Sequence, residues 1–545
     1  MADHVAVLGG GVAGMSAAHE LIERGFDVTV YERRPRPGGK ARSLDVPGTG
    51  TASTPPLPGE HGFRFFPGFY KHINDTMRRI PTPGSPGATV FDNLVPTHQV
   101  LIAREGKSDP IYLTRVPTSP VELVGALKTL FGSDLGISLR EWTFFASRVL
   151  YVMTSSDARR FGELEEISWW DFVRASEMSL SYRRYLATGL TRSLVAMRAE
   201  KGSARTIGVL LFQLLQDLLD PRVDLDRVLD GPTSEVWIHP WRNYLEGEGV
   251  TYHTEATLTA FHLAGGRIAS VDVEMGGTSH SVVADHYVCA VPVEALVPLL
   301  TPDMLALEPR LAKLALLETE WMNGIQYYLR DDVPLARGHA IYIDSPWALT
   351  SISQAQFWEA RLSGYGAGDV RGILSVDISD WNQPGVIFGK PARELSDADE
   401  VHAEVWEQLK RAVNDDAVMD LMDRNLVTWF LDPAIEFPNP STVSNLEPLL
   451  INTKGSWANR PDAITSIENL YLASDYVRTH TDLATMEAAN EAARRAVNGI
   501  LDRTGASAER AAVFPLQEPG WLSGLKKLDA RRYARGRPHW IHAIP

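Results

Sequence analysis

His4-Val5-Ala6-Val7-Leu8 followed by Gly9-Gly10-Gly11-Val12-Ala13-Gly14 reads as a short buried strand running into a G-x-G-x-x-G turn. An apolar-periodic helix follows, with Ala17, Ala18, Leu21 and Ile22 on its inner side. A second strand, Asp27 to Tyr31, ends on Glu32. Each part has a mechanical reason. Gly9 permits the tight turn, Gly11 lets the backbone approach a pyrophosphate, and Gly14 lets helix and strand pack closely. The helix N-terminus offers free N–H groups and a positive dipole end to phosphates. Glu32 can accept hydrogen bonds from ribose hydroxyls, and its charge would repel a 2′-phosphate. The site therefore favours FAD or NAD over NADP.

The composition narrows the class. At 545 residues the chain is expected to form two or three domains. A net charge of -15 argues against a nucleic-acid binder, which needs a positive footprint. The single cysteine, Cys289, excludes a disulfide framework and a cysteine-based metal cluster, and its apolar setting predicts a buried structural thiol. The histidines lack H-x-x-x-H or H-E-x-x-H spacing, so no metal is expected, and no G-x-S-x-G elbow suggests a hydrolase. The N-terminus lacks the pattern of a signal peptide, and no apolar run reaches the ~18 residues of a spanning helix. These features predict a cytoplasmic protein.

Three further segments extend the first. After Glu32 the chain reads Arg33-Arg34-Pro35-Arg36-Pro37-Gly38-Gly39-Lys40-Ala41-Arg42-Ser43, two adjacent glycines among cations, suited to a loop against a pyrophosphate. From Glu60 to Tyr70 it reads EHGFRFFPGFY. Near the other end, Asn469 to Asp475 reads as a strand ending in a turn, and Thr485-Met486-Glu487-Ala488-Ala489 opens an Ala-rich helix.

The stretch Val5 to Ser43 resembles the N-terminal FAD fingerprint of the amine oxidase and phytoene desaturase superfamily of flavoproteins. Lys40 stands where that family usually has Arg. Glu60, Gly62, Gly68 and Tyr70 match the segment that passes near the flavin ring in plant-type carotene desaturases and hydroxysqualene dehydroxylases, whereas Arg64 stands where those relatives commonly carry His. The segment from Asn469 to Ala489 is similar to the second FAD motif, with Ser474 and Ala488 in place of glycines. The β-meander from Gly249 through Arg267 to Pro292 is similar to a third, in which Leu258 takes the place beside the adenine. The resemblance implies an FAD-dependent oxidoreductase. It assigns Gly9, Gly11, Val12, Ala13, Gly14, Glu32, Arg33, Gly38, Gly39, Lys40, Ala41, Arg42, Leu258, Asp475, Thr485 and Met486 to the cofactor. It places Arg64, Tyr70, Tyr476 and His480 near the flavin. Of these, Arg64, His480 and Tyr70 are the candidate catalytic residues, with Arg64 and His480 able to carry protons or stabilise charge.

The implied fold is α/β: a discontinuous Rossmann-type FAD domain (1–100, 236–300 and 446–503), a mixed sheet-and-helix substrate domain (101–235 and 301–445), and a basic aromatic tail (504–545). In the substrate domain, Pro117 to Leu150 and Gly162 to Leu219 read as mostly helical. Met322 to Leu329 and Ala340 to Ile352 read as strands. The fourteen tryptophans could line an apolar cavity, although most of them suit a core. No second strand–glycine turn–helix unit appears, so reoxidation would fall to oxygen or a quinone. Trp521, Leu522, Leu525 and Leu528 form an apolar stripe among Lys526, Lys527, Arg531, Arg532, Arg535 and Arg537. That pattern suits either peripheral membrane contact or a helix docked on the protein's own acidic surface.

The expected reaction is desaturation of an apolar, isoprenoid-like substrate: hydride transfer to the flavin with proton loss from the neighbouring carbon. Two other enzymatic readings fit the same cofactor. An amine oxidase would form an imine and carry a Lys near the flavin, for which Lys454 is the late candidate. A non-redox isomerase or dehydroxylase would consume no acceptor. A non-catalytic flavin-binding protein would have no cavity at the flavin face.

Overall fold

The computed structural model describes residues 2–106, 111–113, 135–189, 191–192, 197–219, 223–224, 226–359, 361–414 and 421–543. Its nucleotide-binding layer is a five-stranded parallel sheet. The strands are β1 (His4–Leu8), β2 (Asp27–Glu32), β3 (Thr251–Thr254), β4 (His286–Cys289) and β5 (Leu470–Leu472), in the order β3-β2-β1-β4-β5. Val5 to Leu8 are fully buried, as strands covered on both faces require. Helix α1 (Val12–Ile22) and helix α2 (Met486–Thr504) pack on one face. Their small residues Ala13, Ala17, Ala18, Ala492, Ala493 and Ala496 allow a close crossing. On the other side of α1, Trp237 and Trp241 fill the core, and the Trp241 indole N–H donates to His19 at 3.0 Å.

The sheet is therefore assembled from chain positions as far apart as His4 and Leu472. Cys289 sits inside it, fully buried, with its thiol pushed up to about 12 by burial. An antiparallel meander (Ala256–Ala264, Arg267–Met275, Thr278–Val282) leads from β3 to β4.

The second layer is a seven-stranded mixed sheet. Its order is Leu426–Leu431, Asn323–Leu329, Gly372–Ile378, Thr350–Ser353, Gly338–Tyr342, Gln99–Ala103 and Ile111–Leu113. Residues Ala340 to Ile352 are not one strand, as the alternation suggests, but a hairpin. Asp344-Ser345-Pro346 breaks the run, and Ala348 takes a left-handed conformation at φ 50°. The helical lobe holds Leu139–Thr154 and Ala204–Leu219, joined by short turns including π-helical ones at Arg160–Leu164 and Arg183–Thr188. Much of the expected helix before Leu139 lies outside the described residues.

The C-terminal helix Leu522–Tyr533 docks on this lobe. Leu522 is buried in the lobe's core, and Asp529 accepts from Arg159 Nε at 2.8 Å and from the Ser156 backbone N–H at 2.9 Å. Trp521 and Leu528, at 64% and 46% exposure, face outward. The sequence stripe is thus divided between a docked side and an open side. Among the described residues, no helix is long and apolar enough to cross a membrane.

Candidate functional site: a dinucleotide cradle continuous with an apolar cavity

A cavity of about 420 Å³ runs from the glycine turn to the junction of the two sheets and the helical lobe. At its floor, Gly9 holds φ +108°, and the Gly9 N–H donates to the Tyr31 carbonyl at 2.8 Å. Gly14 has no room for a side chain: a β-carbon there would lie 1.8 Å from the Gly9 carbonyl oxygen. Helix α1 opens at Gly11 without a side-chain cap, so its first N–H groups, at Gly11, Val12 and Ala13, border the cavity unpaired by any cap. Gly38 donates its N–H to the Gly10 carbonyl at 2.8 Å, which folds the second glycine pair onto the first.

Glu32 ends β2 beneath this turn. Its Oε2 accepts the Gly10 N–H at 2.7 Å and its Oε1 the Arg34 N–H at 2.8 Å. Burial pushes its pKa up, and the two backbone N–H groups work against that rise. The basic loop around it is organised by a residue that the sequence reading missed. Glu447, 5% exposed, receives Arg34 at 3.0 Å and Arg42 at 3.1 Å, with Arg33 at 3.8 Å. Burial alone would raise the Glu447 pKa; Arg42, His61 and Arg34 outweigh it and hold the carboxyl below its ordinary value. Lys40 reaches the Pro448 carbonyl and lies 3.8 Å from Glu294.

The opposite wall is the start of α2. Thr485 caps it, accepting the Ala488 N–H at 3.2 Å, and Thr485, Met486 and Ala489 border the cavity with Ser474 and Asp475. Leu258 borders it from the meander. Two helix N-termini therefore face one groove, with a ribose-type acid at its end. This donor set fits a dinucleotide carrying a pyrophosphate and a ring that accepts negative charge.

Beyond the cradle the walls become apolar: Phe63, Phe65, Phe69, Met197, Leu210, Leu214, Met322 and Leu483. No tryptophan borders the cavity among the described residues, so the expected tryptophan lining is replaced by phenylalanines and aliphatics. The loop His61–Arg64 separates cradle from cavity. Gly324 of the second sheet donates its N–H to the His61 carbonyl at 2.6 Å and props the loop from below.

Arg64 lines the cavity, but its guanidinium turns back onto the chain. It donates to the Gly62 carbonyl at 2.7 Å, to the Phe63 carbonyl at 3.3 Å and to the Lys40 carbonyl. Burial lowers its pKa, opposed by Glu60, Asp377 and Asp432 nearby. Glu60 itself accepts from Ser43 Oγ at 2.8 Å and the Thr233 N–H at 3.0 Å. The Arg64 N–H groups thus brace the Gly38–Lys40 loop against the Glu60–Tyr70 segment. Tyr70 also borders the cavity, and burial, with Glu487 beside it, raises its pKa and keeps the phenol protonated.

His480 is a correction. Its backbone N–H donates to Glu491 at 2.8 Å, the residue is exposed, and it does not border the cavity. Tyr476 is fully buried behind the wall rather than in it. Sequence proximity to the Asp475 turn suggested both, but the loop that follows leaves His480 exposed and Tyr476 buried in the core. The other residues expected at the cofactor border the cavity, except Gly14, which acts inside the turn. Lys454 is exposed on a turn, away from the cavity. Asp377, which no sequence motif marked, lies at the cavity border. Among the described residues, no group of three or more His, Cys, Asp or Glu is placed to hold a metal ion.

This two-layer fold, with its discontinuous dinucleotide cradle continuing into an apolar cavity, is that of an FAD-dependent oxidoreductase. The chain belongs to the flavin containing amine oxidoreductase family, whose model matches residues 12–501. It is 23% identical to a zeta-carotene desaturase of Synechocystis sp., over 91% of this chain and 97% of that protein. It is also 23% identical to a 15-cis-phytoene desaturase of Synechococcus elongatus, over 94% of this chain and 98% of that one. A putrescine oxidase structure with bound putrescine shares the fold, with a TM-score of 0.58 at 14% identity, covering 92% of this chain and 99% of that one.

Proposed function

We propose that the protein desaturates an apolar, isoprenoid-like substrate, forming a C=C bond, with oxygen or a quinone as final acceptor. The observation that carries this reading is the change of wall chemistry along one cavity. Past Arg64 the walls include Phe65, Phe69, Met197, Leu210, Leu214 and Leu483, a surface suited to hydrocarbon. Lys454, the late lysine that the amine oxidase reading would use, is exposed on a turn away from the cavity. Bound FAD would supply the two-electron oxidation. The chain's own share is to hold the cofactor on two helix N-termini, fix the loop His61–Arg64 by the Arg64 brace, and keep water from the reacting carbons. The test is anaerobic bleaching of the flavin absorbance by 15-cis-phytoene, in parallel with putrescine. Bleaching by phytoene and not by the diamine is expected; the reverse result overturns the reading.

The tail supports a second part of the proposal, contact with a membrane surface from which such a substrate would enter. Trp521 and Leu528 lie open beside the exposed Lys527, Arg531 and Arg535. An aromatic and an aliphatic anchor among cations suit an anionic lipid surface. Truncation would also delete the buried Asp529–Arg159 pair, so point changes are the cleaner probe. The double variant W521E/L528E is expected to lose co-flotation with anionic vesicles while keeping its flavin. Equal flotation of wild type and variant overturns membrane contact.

A further inference from the structure

Asp377 borders the cavity and has no part in the cofactor cradle. It stands on the central strand Gly372–Ile378, between Gly324 and Thr350 of the flanking strands, neither of them ionisable. Its carboxyl presses against the loop that separates cradle from cavity. A β-carbon on Gly62 would lie 2.4 Å from its Oδ1, so glycine at position 62 makes room for this carboxylate. Oδ1 is buried and has no hydrogen-bond partner. A carboxylate at the border of an apolar cavity, with one oxygen left without a hydrogen bond, is costly to keep charged and is stabilised by taking a proton. The charged groups that face it are Arg64 and His61 from the loop and His339 from strand Gly338–Tyr342. Burial pushes its pKa up to about 7, with Arg64, His61, the Phe63 backbone N–H and His339 opposing the rise.

A second observation concerns a neighbour that Asp377 faces. His339 is half-buried between Phe63 and Phe65, with its Nε2 3.0 Å from Asp226 Oδ2. Burial would lower the His339 pKa, but Asp226 outweighs it and raises the imidazole above its ordinary value. Asp226 in turn accepts the Thr97 hydroxyl. Asp226 thus favours the charged imidazole of His339, which acts on Asp377 electrostatically.

We propose that Asp377 is the proton acceptor of the reaction, a catalytic residue whose carboxylate takes the proton leaving the substrate carbon as the double bond forms. The assignment rests on the desaturase reading. One substrate C–H gives up a hydride, whose electron pair is taken by the flavin as oxidant. The neighbouring C–H breaks, its electron pair becomes the new π bond, and its proton forms an O–H bond on Asp377.

The experiment uses the flavin-loaded full chain, wild type, D377N and D377E. The midpoint potential of the bound flavin is titrated with dithionite across the pH range on either side of 7, with no substrate present. A break in slope near pH 7 is expected in the wild type, absent in D377N and retained at a shifted pH in D377E. The rate of anaerobic bleaching by 15-cis-phytoene is then expected to rise with pH and level off above 7. D377N should lose about 100-fold or more of that rate, with flavin content unchanged. A break that persists in D377N, or a D377N variant that bleaches at the wild-type rate, overturns the assignment. A wild type that phytoene never bleaches sinks the desaturase reading instead. The substrate-free titration keeps the two failures apart. If D377N cannot hold flavin, D377E carries the comparison, and a potential profile identical to wild type overturns the assignment.

Discussion

Replacing Asp482 with alanine is expected to lower stability by about 3–5 kcal/mol, the loss that follows when one partner of a buried charge network is removed. Asp482 is 2% exposed and is the joint of three segments. Its Oδ2 accepts Arg205 and the Thr206 hydroxyl, the latter at 2.9 Å, both from the helical lobe. Its Oδ1 accepts Arg460 and the Asn452 amide, the latter at 3.3 Å, from the turn after the last long hairpin. Arg460 is fixed as well by the Asp475, Tyr476 and Val477 carbonyls, so it cannot swing out to water once the carboxylate is gone. Arg205 keeps Glu165 at 2.9 Å but is buried with it. Alanine would also have to hold φ 45°, which Asp and Asn tolerate better than other non-glycine residues. D482N, which keeps the shape and that tolerance, should lose less. The network is wired to function, because Leu483, Ala484 and Thr485, next in the chain, border the cavity. A thermal ramp followed by flavin fluorescence should show D482A releasing its cofactor at lower temperature than D482N, and D482N lower than wild type. Coincident curves would show that the network contributes nothing to the site.

The division between what sequence revealed and what it hid follows from how each contact is made. The glycine turn, Glu32 and the Gly38-Gly39 pair act through spacing along a continuous chain, so their geometry is written locally. Asp475, Thr485 and Met486 are also locally patterned, and their resemblance to a known motif carried them across the long gap to the N-terminus. Glu447, Asp377 and Asp482 carry no such pattern. Each is a lone acid in an otherwise ordinary segment, and only the pairing of distant strands brings Glu447 to Arg42 and Asp377 to Gly62. The reading of Ala340 to Ile352 as one strand followed apolar alternation past Pro346, a residue that cannot donate to a sheet ladder. The tail is a different case. Its apolar stripe was real, but one part of it, Leu522, satisfies the protein's own core while Trp521 and Leu528 do not. A stripe on a helical wheel cannot tell these apart.

Within the glycine turn, G14A and G11A are expected to fail in opposite ways. At Gly14 the new methyl would lie 1.8 Å from the Gly9 carbonyl oxygen, 3.0 Å from the Gly9 carbonyl carbon and 3.3 Å from Val7 Cγ1. Two of these three are backbone atoms of the turn itself, which cannot rotate away as a flexible side chain would. Helix α1 must lift from β1, and with it the Ser16 hydroxyl that receives the Asn490 amide of α2 at 2.8 Å. Overpacking of this kind costs about 3 kcal/mol or more, and it falls on the element that joins both chain ends. At Gly11 the β-carbon would meet nothing closer than the Gly39 α-carbon at 3.6 Å, ordinary contact, and the backbone lies at φ -73°, open to any residue. The G11A protein should therefore fold with the thermal midpoint of wild-type apoprotein. Its methyl would instead project into the groove where the α1 N-terminus meets the pyrophosphate, and a loss of about 1.4 kcal/mol or more there is tenfold or more in flavin affinity. Circular dichroism and flavin titration on the two purified variants separate the cases: G14A poorly folded and colourless, G11A folded and weakly loaded. A G14A protein that melts with the wild type would show that the turn is looser than its contacts require. A G11A protein with wild-type affinity would mean that the phosphates do not pass over Gly11, and the cradle would have to be drawn from the α2 side alone.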